Sequence, residues 1–429
     1  MNSTSIAVPD GPVAAGIRRV ALGGLASGAS WTLAASFAAA VSQWLLLMVA
    51  AKLGSTAMVG QLALAFAIVA PIQALTDLAL RPALATDARR LFHFRDYLQL
   101  RGMTIAISIA VVGAAALILG GTASPIIIAI GLQKAVESAS DLFFGLFQRE
   151  ERLKWMGQSV VLRSTLASIA FVGVILAYGD LLVACLAGLV VHIGVFLLHD
   201  LARGSGLTDF RASGASEGNR VGELFRASLP LAAGLFLMSF AVNIPRYFVE
   251  KRMGVAALGV FAALIYVFQA GAMLVDAVSQ AACVRLARFH SLGDDRAFRG
   301  LLLRLAGLAA LAASGGVLLA LLGGGQLLGM AYSQAFASEA KPFLWLSLCA
   351  APWYCSSVLG YALVARRQTR ALFYCQVVSL AATFAGSYWL IGESGLADAC
   401  RVVFLTYSVL LALYALVLWR VRNEGGGLA

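Results

Sequence analysis

"TIAISIAVVGAAALILGG" (Thr104–Gly121) contains no charged residue, and its reading decides the fold. A helix needs about 20 apolar residues to cross roughly 30 Å of hydrocarbon. This run reaches that length with its flanks, and "SVLLALYALVLW" (Ser408–Trp419) is the heart of another. Across 429 residues, 61% are hydrophobic and 12% charged, against about 25% charged in a soluble domain. The runs do not alternate polar and apolar as barrel strands do, and in lipid a helix satisfies its own backbone. The expectation is an all-α integral membrane protein of about twelve transmembrane helices. They are placed at 29–51, 57–80, 102–121, 125–147, 157–178, 181–199, 227–248, 255–281, 301–323, 341–365, 371–391 and 395–419.

The formal charge is +11, and its placement argues against a nucleic-acid partner. Arg81, Arg89, Arg90, Arg95 and Arg101 follow the second expected span, and Arg149, Arg152 and Lys154 the fourth. Arg203, Arg211, Arg220 and Arg226 follow the sixth, Arg285, Arg288, Arg296 and Arg299 the eighth, and Arg366, Arg367 and Arg370 the tenth. The intervening connections carry only Lys52, Lys251, Arg252, Lys341 and Arg401. This is the positive-inside pattern of a multi-pass protein with both termini cytoplasmic. No clustered basic stripe is left over for a nucleic acid to use. No cleavable signal peptide is expected, because the first sixteen residues lack a basic region; "MNSTSIAVPDGP" reads as a disordered tail. The six cysteines form no CxxC pair, so neither a disulfide framework nor a metal site is expected.

The longest polar connection, "HDLARGSGLTDFRASGASEGNRVGELF" (His199–Phe225), divides the chain. The expected organisation is a six-helix bundle over 1–200, a cytoplasmic linker over 201–226 and a second six-helix bundle over 227–429. The halves echo each other at an offset of about 200 residues. Lys52–Gly54 matches Arg252–Gly254, Gln43 falls opposite Asn243, and Gly60 precedes Asp77 by the same interval as Gly259 precedes Asp276. A parallel repeat about an axis along the membrane normal is a transporter plan, with a central cavity between the halves. Pro71, Pro245 and Pro352 fall inside spans and are expected to break or kink them.

Charges inside spans carry the candidate site. In "ESASDLFFGLFQREERL" (Glu137–Leu153) and just before it, Lys134, Glu137, Asp141, Gly145 and Gln148 step by three or four residues and form one stripe. A charge at the bilayer centre costs about 2.5 to over 10 kcal/mol, so the stripe is turned from lipid. One reading has Lys134 and Glu137 neutralise each other as interhelical glue. The other has the stripe face a wetted cavity, with Arg163 on the next span balancing the second carboxylate. Arg246 either snorkels to the interface or contacts an anion. Asp77 is expected to pair with Arg81 at i+4. Asp276 has Gln280 at i+4 instead, which makes it the better candidate for an ion- or proton-linked role. Trp44 and Trp353 lie deep in spans and, with Tyr266, Tyr354 and Tyr361, either pack or line the cleft and stack on sugar rings. His192 reads as packing. No Walker A, HExxH or GxSxG context appears, so no catalytic residues are expected.

The stretch Glu137–Leu153, followed by Arg163 in "VVLRSTLAS", resembles the span four to five region of bacterial polysaccharide flippases. These are the Wzx-like members of the multidrug/oligosaccharidyl-lipid/polysaccharide (MOP) exporter superfamily. "LGSTAMVGQLALAFAIVAPIQALTDLALR" (Leu53–Arg81) resembles them too. The resemblance implies a non-enzymatic transporter that moves undecaprenyl-pyrophosphate-linked oligosaccharide across the bacterial inner membrane by alternating access. It implies Lys134, Arg163 and Arg246 for the pyrophosphate, with polar and aromatic residues such as Trp44 and Trp353 for the glycan. Glu137, Asp141, Asp77 and Asp276 would be cavity or coupling residues. The implied partners are the lipid-linked glycan, membrane lipids and other polysaccharide-assembly proteins. No cofactor is implied; the driving force would be a proton or sodium gradient or the mass action of the cargo. The rivals are an ion-coupled drug or metabolite antiporter of the same superfamily, a membrane glycan polymerase or ligase, and a scaffold without transport.

Overall fold

A computed structural model of the chain describes residues 12–87, 90–207, 220–332, 334–337, 339–392 and 395–425. Helices joined by short turns make up nearly all of them, with no strand among the described residues. In order they form α1 (Pro12–Leu53), α2 (Thr56–Thr76), α3 (Leu80–Thr86), α4 (Phe94–Leu119), α5 (Ser124–Arg149) and α6 (Leu153–Tyr178). Next come α7 (Leu181–Val195), a π-helical turn (Phe196–Leu201), the single turn α8 (Ala202–Gly204) and α9 (Arg220–Ser291). The chain closes with α10 (Asp295–Ala331), the short α11 (Gln334–Ala337), α12 (Ala340–Ala365), α13 (Thr369–Leu390) and α14 (Leu396–Gly425). The first eleven residues of the expected tail and residues 208–219 of the expected linker lie outside the described residues, as do Arg89 and Arg211.

Ten of these helices are long and apolar enough to cross a membrane. Two facts bring the count of spans to the expected twelve. α9 runs 72 residues, about 108 Å if straight, which is too long for one crossing. It is two spans joined at Gly254, whose φ of 85° and ψ of 171° end one helix and begin the next; a residue with a Cβ resists that φ. α5 has the length of a span but carries the charged stripe, so apolarity alone overlooks it. Side chains such as Leu117 (80%), Ile118 (85%) and Leu198 (83%) stand exposed on outer faces, as helices solvated by lipid require.

Tight connections turn the chain back on itself. Ser55 accepts from the Met58 amide to cap α2. Gly179 closes α6 with φ 65°, and Asp180 caps α7 through the Val183 amide. The basic connections gather at one rim, where Arg90 reaches Glu150 at 3.3 Å and Arg366 reaches Asp295 at 3.2 Å. At the opposite rim Gln61 bonds Thr122 at 2.9 Å, and Arg252 bonds the carbonyl of Ile391.

The halves meet through α2 and α9, in a contact that mirrors the internal repeat. A Cβ on Gly60 would lie 1.8 Å from the carbonyl oxygen of Val255, and one on Gly259 would lie 2.0 Å from that of Thr56. Gly60 and Gly259 are 199 residues apart (259 − 60), as are Thr56 and Val255 (255 − 56). A reciprocal contact of this kind belongs to a two-fold relation. It lies toward the rim away from the arginines. On the same side Gln43 donates to the Tyr266 hydroxyl at 3.2 Å, and Trp44 lies beside the Tyr332 hydroxyl.

The prolines do not break their spans. Pro71, Pro245 and Pro352 all stay inside helices. Pro71 lacks the N–H that would bond the carbonyl of Ala67, and the Tyr247 hydroxyl of α9 donates to that carbonyl instead. The break in the second span comes later, at Leu78 (φ 49°) and Ala79 (φ 48°), both left-handed. In α10, Gly323 is non-helical.

Candidate functional site

The stripe on α5 faces the interior of the first bundle. The main neighbours of α5 are α2, α3, α4, α6 and α7, all in the first half. Lys134 Nζ donates to Glu137 Oε2 at 2.6 Å, and the two side chains are 34% and 31% exposed. The expected internal pair is therefore present, with both partners partly exposed. Glu137 Oε1 also meets His192 Nε2 of α7 at 3.0 Å, and His192 Nδ1 lies 2.7 Å from the carbonyl of Gly188. His192 is thus a member of the network, not packing as its sequence context suggested.

Two pairings differ from expectation for one reason. The left-handed residues Leu78 and Ala79 end α2 before Arg81 can lie one turn beyond Asp77. Arg81 turns to α5 instead, donating to Asp141 at 3.0 Å and Gln148 at 3.2 Å. Asp77 is taken by Arg101 of α4 at 2.7 Å, with Gln73 donating at 2.9 Å and the Ser138 hydroxyl completing the set. Arg101 also donates to Ser138 at 2.6 Å. It is 2% exposed, so it is an interior residue and not part of the basic connection where the sequence placed it. α4 begins at Phe94, ahead of the expected 102, and so draws Arg101 inside. Its buried face continues through Thr104 and Ser108, at helical spacing from Arg101. That polar stripe is the signal by which the residue could have been found.

Arg163 does not balance Asp141, because Arg81 holds that role. It is 8% exposed and lies over the Phe144 ring at 5.5 Å. One of its terminal nitrogens has no hydrogen-bond partner among the described residues, and its charge acts on Glu137. The network sets Arg81, Arg101, Lys134 and Arg163 against Asp77, Glu137 and Asp141, four cations to three carboxylates.

The second bundle has a different interior. A cavity of about 740 Å³ lies among α9, α12, α13 and α14. Asp276 sits in its wall and accepts from the Ser357 hydroxyl, a cross-helix partner that i+4 reasoning missed. Trp353 stacks on Tyr407 at 4.7 Å and 10°, and Tyr361, Gln376 and Thr406 add polar groups. Arg246 does not snorkel. It is 6% exposed, donates to Asn243 at 2.9 Å and lies over the Tyr266 ring at 5.8 Å. Tyr354 is buried and donates to the carbonyl of Phe268 at 2.8 Å, so it packs and does not line the cavity's free surface. Trp44 is 39% exposed near the junction of the halves. The candidate residues thus fall into separate groups: Lys134, Glu137, Asp141, Asp77 and Arg163 in the first bundle, Asp276 and Trp353 in the second, and Arg246 and Trp44 near the seam. Among the described residues no His, Cys, Asp and Glu cluster suits a metal ion.

No family model matches the chain. It is 23% identical over 380 residues to the capsular polysaccharide biosynthesis protein CapF of Staphylococcus aureus, covering 89% of this chain and 96% of that one. Its fold is similar to the inward-facing conformation of a multidrug resistance MATE family transporter of the MOP superfamily. There the TM-score is 0.70 at 13% identity, over 90% of this chain and 96% of the other. It is also similar to the lipid II flippase MurJ in an inward closed conformation, with a TM-score of 0.64 at 10% identity, over 90% and 87%. The chain has the helices of a multi-pass membrane protein and the fold of MOP superfamily transporters, and its similarity to a capsular polysaccharide biosynthesis protein agrees with the resemblance read from its sequence.

Proposed function

We propose that this protein flips an undecaprenyl-pyrophosphate-linked oligosaccharide across the bacterial inner membrane by alternating access, with both termini in the cytoplasm. The observation that carries the reading is the division of interior chemistry. The first bundle holds an excess of cations, with Lys134 one-third exposed, and the second holds a cavity of stacked rings and hydroxyls. A diphosphate suits the former, since ammonium and guanidinium groups bind its oxygens. Sugars suit the latter, offering apolar ring faces to aromatics and hydroxyls to polar side chains. The likeness to a capsular polysaccharide biosynthesis protein points the same way. The arginine-rich rim would face the cytoplasm.

The test is a strain lacking the gene. Lipid-linked glycan should build up on the inner leaflet, and Lys134→Ala and Arg163→Ala should reach the membrane at normal levels without restoring export. Full rescue by both variants would remove the site assignment. One observation favours a second reading, an antiporter for organic cations: Asp276 is a carboxylate in a cavity bearing stacked aromatic rings. Loss of resistance to a cationic drug in an Asp276→Asn strain, with glycan export intact, would select that reading.

A further inference from the structure

The contacts of His192 demand a proton. The Gly188 carbonyl is an acceptor only, so Nδ1 at 2.7 Å must carry a hydrogen toward it. In a neutral ring Nε2 is then a bare lone pair, yet it lies 3.0 Å from Glu137 Oε1. Two acceptors do not hold that distance unless a proton lies between them. Either the imidazole is an imidazolium or the carboxyl is protonated; both descriptions place one shared proton on the pair. The third contact at this carboxyl is Lys134 on Oε2 at 2.6 Å.

We propose that Glu137 and His192 form a proton-binding site inside the first bundle, and that its occupancy decides whether Lys134 can serve an anion. The charge count runs through three residues. With the proton, the pair is neutral and Lys134 leaves the trio at +1, able to accept a negative ligand group. Without it, Glu137 is an unshared carboxylate, Lys134 is its counter-ion, and the trio is neutral. Proton and anion therefore bind together. The surrounding charges are committed elsewhere or are of fixed sign. From α6, Arg163 acts on Glu137; from α2 and α4, Asp77 and Arg101 hold each other; from α3, Arg81 holds Asp141 of α5. None supplies the missing hydrogen. The anion clause rests on the proposed diphosphate cargo; the proton clause does not.

The whole chain in liposomes, labelled with ¹⁵N-histidine, tests the proton clause. The chain has four histidines, and His192→Gln assigns the signal by its loss. At neutral pH the His192 ring should report both nitrogens hydrogen-bearing or sharing a proton, and in Glu137→Gln that signature should be lost. A bare Nε2 unaffected by Glu137→Gln overturns the proposal. The anion clause is read with dimethyl pyrophosphate, a diester whose charge is constant across the histidine range of about pH 5 to 8. Wild-type affinity should fall by about tenfold per pH unit once the proton is lost. Glu137→Gln, which frees Lys134 permanently, should bind at all these pH values alike. His192→Gln, which leaves Glu137 to Lys134, should bind weakly throughout. Equal wild-type affinity across the range overturns the coupling and leaves the cargo reading intact. A His192 signature as expected, in a protein whose Lys134 variants export glycan normally, supports the proton site and removes the cargo.

Discussion

At the scale of single residues, the interior charges were legible as present but not as paired. The i, i+3 spacing of Lys134 and Glu137 identifies their contact without a structure. Arg101 and His192 are different: each finds its partner on another helix, Asp77 for one and Glu137 for the other. No local spacing encodes that. Arg101 was also disguised by its position just before an apolar run, where basic residues usually mark a membrane boundary. Its burial gives a sharp expectation. Removing one partner of a buried ion pair costs about 3–5 kcal/mol, because the other charge is left without compensation. Asp77 is 30% exposed, so the lower end applies. Arg101→Leu should lower stability in detergent by about 3 kcal/mol, read as earlier thermal unfolding. Arg101→Leu with Asp77→Asn should recover most of the loss, since the orphaned carboxylate is then gone. If the double variant is as unstable as the single one, the pair is not what holds α2 to α4.

At the scale of elements, the spans were legible because hydropathy is local and a bilayer fixes their length. Their breaks were not. Proline was the expected breaker, yet the left-handed residues are Leu78, Ala79 and Gly254. In lipid the carbonyl that a proline leaves without its amide partner needs another donor, and at Pro71 that donor is Tyr247 from the other half. That contact is a prediction in itself. Interhelical hydrogen bonds in membranes average about 0.6 kcal/mol and reach about 1.7. Tyr247→Phe should cost about 1 kcal/mol by thermal unfolding. In a Pro71→Ala background the restored amide can bond Ala67 internally, and Tyr247→Phe should then have almost no effect. An equal cost in both backgrounds would mean that Tyr247 acts through packing alone.

At the scale of the whole molecule, the two halves touch in a reciprocal contact, Gly60 with Val255 and its repeat-mate Gly259 with Thr56. Around this point Gln43 meets Tyr266, and Trp44 meets Tyr332. The rim away from the arginines is therefore closed by contacts between halves. Transport by rocking requires those contacts to part while each bundle stays intact. A pair of crosslinks separates the two requirements. In a chain whose native cysteines are replaced, Gln43→Cys with Tyr266→Cys can be bridged by a short bis-methanethiosulfonate reagent, since the native side chains meet at 3.2 Å. Ser42→Cys with Ser168→Cys spans α1 and α6 within the first half, where the native hydroxyls meet at 2.7 Å. Bridging the first pair should stop glycan export and a reductant should restore it, whereas bridging the second should leave export unchanged. Export that survives the first bridge would mean that the halves do not separate at this seam. Export lost equally on both bridges would mean that motion within the first bundle, and not rocking of one bundle on the other, carries the cargo across.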